Sequence, residues 1–215
     1  MSQYTSHNNQ DFSVNIGQYF SRGWEIFKQY PLGFIGYLIT VFLISIFLTF
    51  LPILIEQLQG IATIASWANV VLNPIFYAGF DIVALQIAKN RPIDFSDFFR
   101  GFNQFLQIFL VHLISNILIV IGCWLLIIPG IYLAVAYQFS SLFVIEKKLS
   151  FWSALEASRK LITKQWFSFL LFGIALFLLN VAGVLALGIG MFVTFPLTLC
   201  IVVAAFEDIV GLNKG

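Results

Sequence analysis

The chain has 215 residues, 60% of them apolar and only 10% charged, against about 45–50% and about 25% in ordinary soluble domains. With so few charges and a mean hydropathy of +0.95, a water-soluble globule of this size could not cover its apolar surface. Eleven Lys+Arg against ten Asp+Glu give a net charge of +1, which excludes a polycationic nucleic-acid surface. What remains is an all-α, polytopic membrane protein whose main partner is the lipid bilayer.

Residues 1–11 are polar and read as a disordered tail. No short basic segment precedes the first apolar stretch, so no cleavable signal peptide is expected, and the first span acts as an uncleaved anchor. An amphipathic segment follows the tail, with Ile16, Phe20, Gly23 and Phe27 on one face and Asn15, Gln18, Arg22 and Glu25 on the other. Beyond Lys28, charges vanish from Gln29 to Ile55 and again from Gln57 to Phe80, separated by a polar turn around Glu56. Two further charge-free runs cover 45 residues from Gly101 and 42 residues from Gln165. The first of these would make a helix of about 67 Å, twice what a hydrocarbon core of about 30 Å needs, so each run crosses twice. Their turns fall at Ile128-Pro129-Gly130 and Gly188-Ile189-Gly190. The count is six transmembrane helices, roughly 31–54, 62–88, 104–127, 130–145, 166–187 and 191–209, the fourth and sixth short enough to be tilted or partly interfacial.

Six spans put both termini on one side, and every basic residue falls there with them: Arg22 and Lys28, then Lys89, Arg91 and Arg100, then Lys147, Lys148, Arg159, Lys160 and Lys164, and finally Lys214. The positive-inside rule makes that side cytoplasmic, although the opposite turns are too short to offer many sites for a basic residue. Each pair of spans is preceded by a segment too polar to cross. Asp94 caps the second, with Phe95, Phe98, Phe99, Phe102 and Phe105 on its apolar side; Ser150 caps the third, where Phe151, Trp152, Leu155 and Ile162 oppose Glu156, Lys160 and Lys164. Glu156 and Lys160 form a favourable i,i+4 pair. Arg22, Lys28, Arg100, Arg159, Lys160 and Lys164 are the expected membrane-interface residues. The pattern reads as a single membrane domain, 12–210, made of three copies of an interfacial helix and a helical hairpin (12–90, 93–147 and 150–210), with a short tail at 211–215. The plainer reading is that any polytopic chain has helical segments between its spans.

The stretch Leu126-Ile-Ile-Pro-Gly-Ile-Tyr-Leu-Ala-Val-Ala-Tyr137, followed by Phe151-Trp-Ser-Ala-Leu-Glu-Ala-Ser-Arg-Lys160 and Trp166, resembles the YciC-like bacterial integral membrane proteins and the related membrane domain of glycerophosphodiester phosphodiesterases. Ser21-Arg-Gly-Trp-Glu-Ile-Phe-Lys28 is similar to their openings, so the resemblance covers about residues 12–210. It implies a six-span protein of the bacterial inner membrane, mostly of unknown function. The phosphodiesterase activity of fused relatives belongs to a separate soluble barrel, so no catalytic residue carries over.

Nothing in the chain assembles a catalytic constellation, and no cofactor or metal is expected. HExxH, GxSxG and P-loop patterns are absent, and neither of the two cysteines lies in a CxxC or Cys/His spacing. Cys123 and Cys200 lie at different depths and read as free thiols. The small residues Gly173, Ala175, Ala182, Gly183, Ala186, Gly188 and Gly190 read as a helix-packing stripe rather than a pathway lining. Of the prolines, only Pro74 and Pro196 fall where they can kink a span. Asp81 stands apart as the one acid within a span, eight residues before Lys89 and so about 12 Å deep at helical rise. His112 lies nine residues beyond Asn103, and Gln138 eight before Glu146. Asp81, His112 and Gln138 form the candidate intramembrane polar site, with Asp81 and His112 meeting across consecutive spans. Against this stands a shallow acid reaching hydrated headgroups, or a neutral one bonded to a neighbour. The leading functional expectation is a non-enzymatic accessory or scaffold protein, linked to envelope or lipid metabolism, with a membrane-protein partner of unknown identity. The alternative is a small transporter or lipid-handling protein that uses the inner-leaflet polar site.

Overall fold

The computed structural model describes residues 13–54, 59–186 and 188–212. The N-terminal tail, most of the Glu56 turn and the last three residues lie outside them. Helix α1 (Ile16–Gln29) begins where the Asn15 side chain accepts the Gln18 N–H at 3.2 Å, and ends at Tyr30, which is held at φ −146°. Pro31 explains that break. It disfavours helical backbone in the residue before it, and at the first position of α2 (Pro31–Leu54) its missing N–H costs nothing. Helix α3 (Gln59–Ala88) runs through Pro74 without interruption. A 3-10 segment (Phe95–Gln104) leads into α4 (Phe105–Leu125). Then come α5 (Ile127–Ala136), α6 (Ser140–Lys147), α7 (Phe151–Thr163), α8 (Trp166–Leu185) and α9 (Met191–Val210), the last with Pro196 inside it. Six helical stretches are long and apolar enough to cross a membrane, and the described residues contain no strand.

Several details differ from what the sequence suggests. The second polar segment does start at Asp94, whose carboxylate takes the Phe95 N–H at 2.8 Å while Asp97 takes the Asp94 N–H at 2.9 Å. It winds as a 3-10 helix, however. A period of three sets buried Phe98 and Gly101 on one edge against α3. Ser150 has the extended backbone of a cap, but its hydroxyl bonds Ser153. The Phe151 N–H goes instead to the side-chain oxygen of Gln107 on α4, at 2.9 Å. The turn expected at Ile128-Pro129-Gly130 is one residue, the extended Leu126, and Pro129 sits in the first turn of α5. The fourth span is two helices rather than one, interrupted at Tyr137–Phe139.

Burial separates the spans into two sets. Over an apolar stretch of 18 residues in each, the second, fourth and sixth are 61%, 44% and 44% buried within the chain, against 22%, 17% and 22% for the first, third and fifth. The second helix of each hairpin thus lines the centre, and the first faces outward. The short segments close a ring around them: α1 packs on α9, the 3-10 segment on α3, and α7 on α5 and α6. Small residues permit these contacts. A Cβ added to Gly23 of α1 would lie 2.6 Å from the Ile201 Cα of α9, and one on Gly101 would lie 3.0 Å from the Ile75 carbonyl oxygen. Aromatic rings fill the core beneath. Tyr37 stacks on Phe98 at 4.4 Å, and Phe206 meets Phe139 and Phe143 edge-on at 5.7 and 5.1 Å.

Of the small-residue stripe, Gly183 approaches the Thr194 side chain and Gly190 closes against the Gly183 carbonyl. Ala182 and Ala186 are exposed, although the Ala186 methyl lies close to Gly190. Cys123 is exposed, Cys200 is buried, and both are free thiols.

Candidate functional site

The interruption of the fourth span is where backbone chemistry, polar side chains and a buried acid come together. Tyr137 and Phe139 adopt φ/ψ of −98°/8° and −99°/2°, in the bridge region where a helix loses its i→i−4 bonding. The Gln138 N–H reaches only as far back as Val135 O, at 3.3 Å, and the Ser140 N–H bonds Tyr137 O at 3.1 Å. Two backbone groups freed by the break are recovered by one side chain from outside the span. Ser158 of α7, fully buried, donates its hydroxyl to Ala136 O at 2.7 Å and accepts the Phe139 N–H at 3.2 Å. In hydrocarbon, irregular backbone persists only where protein supplies such partners. Helix α7 is positioned for this by its own apolar edge, on which Ala154, Leu155, Ser158 and Ile162 are all buried.

Three polar side chains follow within four residues. Gln138 lies in the break, its Oε1 buried without a hydrogen-bond partner and its amide nitrogen directed at Gly173 of α8. Ser140 opens α6, 3% exposed, with an unpartnered hydroxyl. Ser141 donates its hydroxyl to Asp81 Oδ2 at 3.2 Å. Asp81, 6% exposed, thus lies against the N-terminal turn of α6, where the helix dipole favours negative charge. It makes no hydrogen bond to His112. The imidazole Nε2 is buried with no partner at all, so the expected Asp81–His112 pair does not form. Helix α3 packs against α4 as well as α6 and α9, so the difference lies in which side chain meets the carboxylate: the hydroxyl at the start of α6 does, and the imidazole of α4 makes no hydrogen bond to it. The structure joins Asp81 to Ser141, at the end of the interruption that holds Gln138, and gives it no hydrogen bond to His112.

Charges at the basic end are mostly engaged. Lys89 at the end of α3 lies 2.6 Å from Glu146 at the end of α6. Arg100 lies 2.7 Å from Asp97. With its amide nitrogen toward that acid, Gln86 donates to Asp97 at 2.8 Å and accepts from Arg100 at 3.2 Å. Arg22 grips both carboxylate oxygens of Glu207 on α9, Nε at 3.0 Å and Nη2 at 3.1 Å, with Glu25 at 3.4 Å. Its guanidinium is held above the ordinary arginine range mainly by the Glu207 hydrogen bonds. Beside it Tyr19 donates to Asp208 at 3.1 Å, and burial pushes the phenol up to about 12. These residues line a cleft of about 550 Å³ between α1 and α9. Its one cation is already neutralised, so the cleft reads as the clasp closing the ring rather than an anion site.

On α7, Glu156 takes Arg159 at 2.8 Å and Lys160 at 3.2 Å. The Arg159 hydrogen bond above all lowers the Glu156 carboxyl to about 2. Lys28 and Lys164 are exposed at the ends of α1 and α7. Among the described residues, no group of three or more His, Cys, Asp or Glu side chains comes together to hold a metal.

The chain matches no family model, no curated protein and no solved structure.

Sequence reasoning missed Ser158, Ser140, Ser141 and the Arg22–Glu207 clasp. The signal for Ser158 was present: it is the one polar residue on the apolar edge of α7. Gln138 and Ser140-Ser141 were likewise readable as a polar interruption of a span.

Proposed function

We propose that this is a non-enzymatic multi-pass protein of a bacterial cytoplasmic membrane, with both termini cytoplasmic, that works by binding a small ligand at the polar break of its fourth span. The reading belongs to the transporter or lipid-handling class rather than to scaffolding. One observation carries it: a span broken between two half-helices, with Asp81 at the N-terminus of the second half and unpartnered Gln138 and Ser140 atoms beside the interruption. Broken helices with their termini at a buried polar site are how many transporters hold ions and small substrates. A scaffold has no use for such a break, which needs a dedicated serine to make it tolerable.

The internal repeat belongs to the same proposal. The alternation of buried and outward spans, and the ring in which each short segment packs on the central helix of the preceding unit, support three copies around an axis along the membrane normal. Relationship to the YciC-like proteins is proposed on the motifs quoted above. The basic residues gathered at one end support a cytoplasmic assignment for that end, and α7, with Trp152 exposed and Lys160 beyond it, suits an interfacial position.

Thermal unfolding of the purified protein in detergent tests the reading. Protons, sodium, potassium, ethanolamine and anionic phospholipid are titrated in turn, because a ligand that binds only the folded state stabilises it in a saturable way. Saturable stabilisation by at least one of these, lost in Asp81→Asn, supports ligand binding at the break. Identical responses of the parent and Asp81→Asn to every titrant refute it.

A further inference from the structure

The described residues contain three buried acids. Asp97 and Glu146 each have a basic partner, Arg100 at 2.7 Å and Lys89 at 2.6 Å. Asp81 is as buried as Glu146, at 6% exposure each, yet it has only the Ser141 hydroxyl. A buried charge is ordinarily paired or neutral, so this carboxylate needs a single positive charge that the protein does not supply. The surroundings limit what can bring it. Val83, Ala84 and Leu85 beside it on α3 and the nearby Cys200 on α9 are buried and carry no side-chain oxygen, so they offer an organic amine none of the further acceptors its N–H groups require. A divalent cation would need six or more oxygen ligands and more than one negative charge, and the side-chain oxygen shown beside this carboxylate is one serine hydroxyl.

We infer that Asp81 is a proton-binding site, at which a proton arriving from the basic face converts the carboxylate held by Ser141 into a neutral carboxyl. The inference rests on the ligand-binding reading above and names the ligand. Asp81 lies seven residues before the end of α3 at Ala88, about 10 Å at helical rise, so the path is short. Of the three buried acids it is the one without a basic partner. From α9 it shares its surroundings with the Cys200 thiol. On α6 and at the end of α3, Glu146 and Lys89 are engaged with each other. Asp97 and Arg100 of the 3-10 segment are likewise paired. Tyr37 of α2 donates to Phe76 O, and His112 of α4 makes no bond to Asp81. Exchange of this proton switches Asp81 from pure acceptor to donor at the interruption, where Gln138 Oε1 and Ser140 Oγ have no partner.

Dicyclohexylcarbodiimide, an apolar reagent that adds to the protonated carboxyl, tests this on the intact protein in liposomes. Adducts are mapped by mass spectrometry between pH 5 and 9 at constant ionic strength, so the site is located without any variant, and Asp81→Asn serves as a second check. The expected result is an adduct on Asp81 and none on Glu146, at a rate that falls several-fold as pH rises and does not change with sodium or potassium. Labelling that does not vary with pH would make Asp81 a permanently neutral structural acid and overturn the inference. Protection by sodium at fixed pH would overturn the proton assignment while leaving a ligand site at the break intact. Absence of any Asp81 adduct across the pH range, with the protein folded and responsive in the thermal titrations, would also overturn it.

Discussion

Replacing Ser158 by alanine removes one oxygen atom and leaves two backbone groups of a membrane span without partners. The structure puts numbers on the loss. The Ala136 carbonyl gives up a 2.7 Å bond and the Phe139 N–H a 3.2 Å bond, both at a fully buried position. Hydrogen bonds between membrane helices average about 0.6 kcal/mol in double-mutant cycles, so two lost bonds set a floor of about 1 kcal/mol. If both groups stay buried and unpaired, each costs about 1–3 kcal/mol, and the total rises to about 2–6 kcal/mol. The orphaned groups have little chance of finding each other, because the turn at Tyr137–Phe139 already uses its nearby amides. Reversible unfolding in mixed micelles of increasing denaturing-detergent content, followed by tryptophan fluorescence, measures the change. Ser153→Ala is the control: Ser153 lies on the same helix, exposed, with a hydroxyl that bonds only Ser150, and its loss should stay within about 0.5 kcal/mol. A Ser158→Ala protein no less stable than Ser153→Ala would refute the idea that this hydroxyl holds the break.

Two other outcomes follow from contacts at the basic end. Gly23→Ala should destabilise by about 1–3 kcal/mol, since overpacking forces α1 off Ile201 of α9; hydrogen exchange should show α1 losing protection first, and unchanged protection of α1 would contradict the ring closure. The Glu156 carboxyl is lowered to about 2 by Arg159, so its contribution is present above the ordinary carboxylate range and is lost as pH falls from about 4.5 toward 2. Because the side chains are over a third exposed, solvent screening keeps this below about 0.5 kcal/mol, and Glu156→Gln should flatten acid unfolding only slightly in that window; a loss of several kcal/mol at neutral pH would contradict the pair's surface character.

The spans were legible because the bilayer writes its thickness into the sequence as runs without charge. Four of the six expected spans agree with the helices to within two residues at each end: α2, α4, α8 and α9. The caps at Asp94 and the Glu156–Lys160 pair were legible for a similar reason, since both depend on neighbours a few residues away. What could not be read were contacts between distant segments. Nothing local to Gln138 says that Ser158 will repair the backbone around it, and nothing local to Asp81 says whether α4 or α6 will face it. Both depend on packing between segments far apart in the chain, which hydrophobic periodicity does not record. The polar layer itself was visible in Asp81 and Gln138. Its pairing was not, and His112, chosen for matched depth alone, makes no hydrogen bond to Asp81.

The pairing can be measured directly by short-reach cross-linking of cysteine pairs in a background lacking Cys123 and Cys200. Asp81→Cys combined with Ser141→Cys should cross-link efficiently in membranes, because the native side chains touch at 3.2 Å. Asp81→Cys combined with His112→Cys should cross-link less efficiently, because the Asp81 carboxylate is engaged by Ser141 and the imidazole makes no hydrogen bond to it. Cross-linking to position 112 and none to position 141 would mean that Asp81 points toward the third span and not toward the broken fourth, and the polar site at the break would lose its acid.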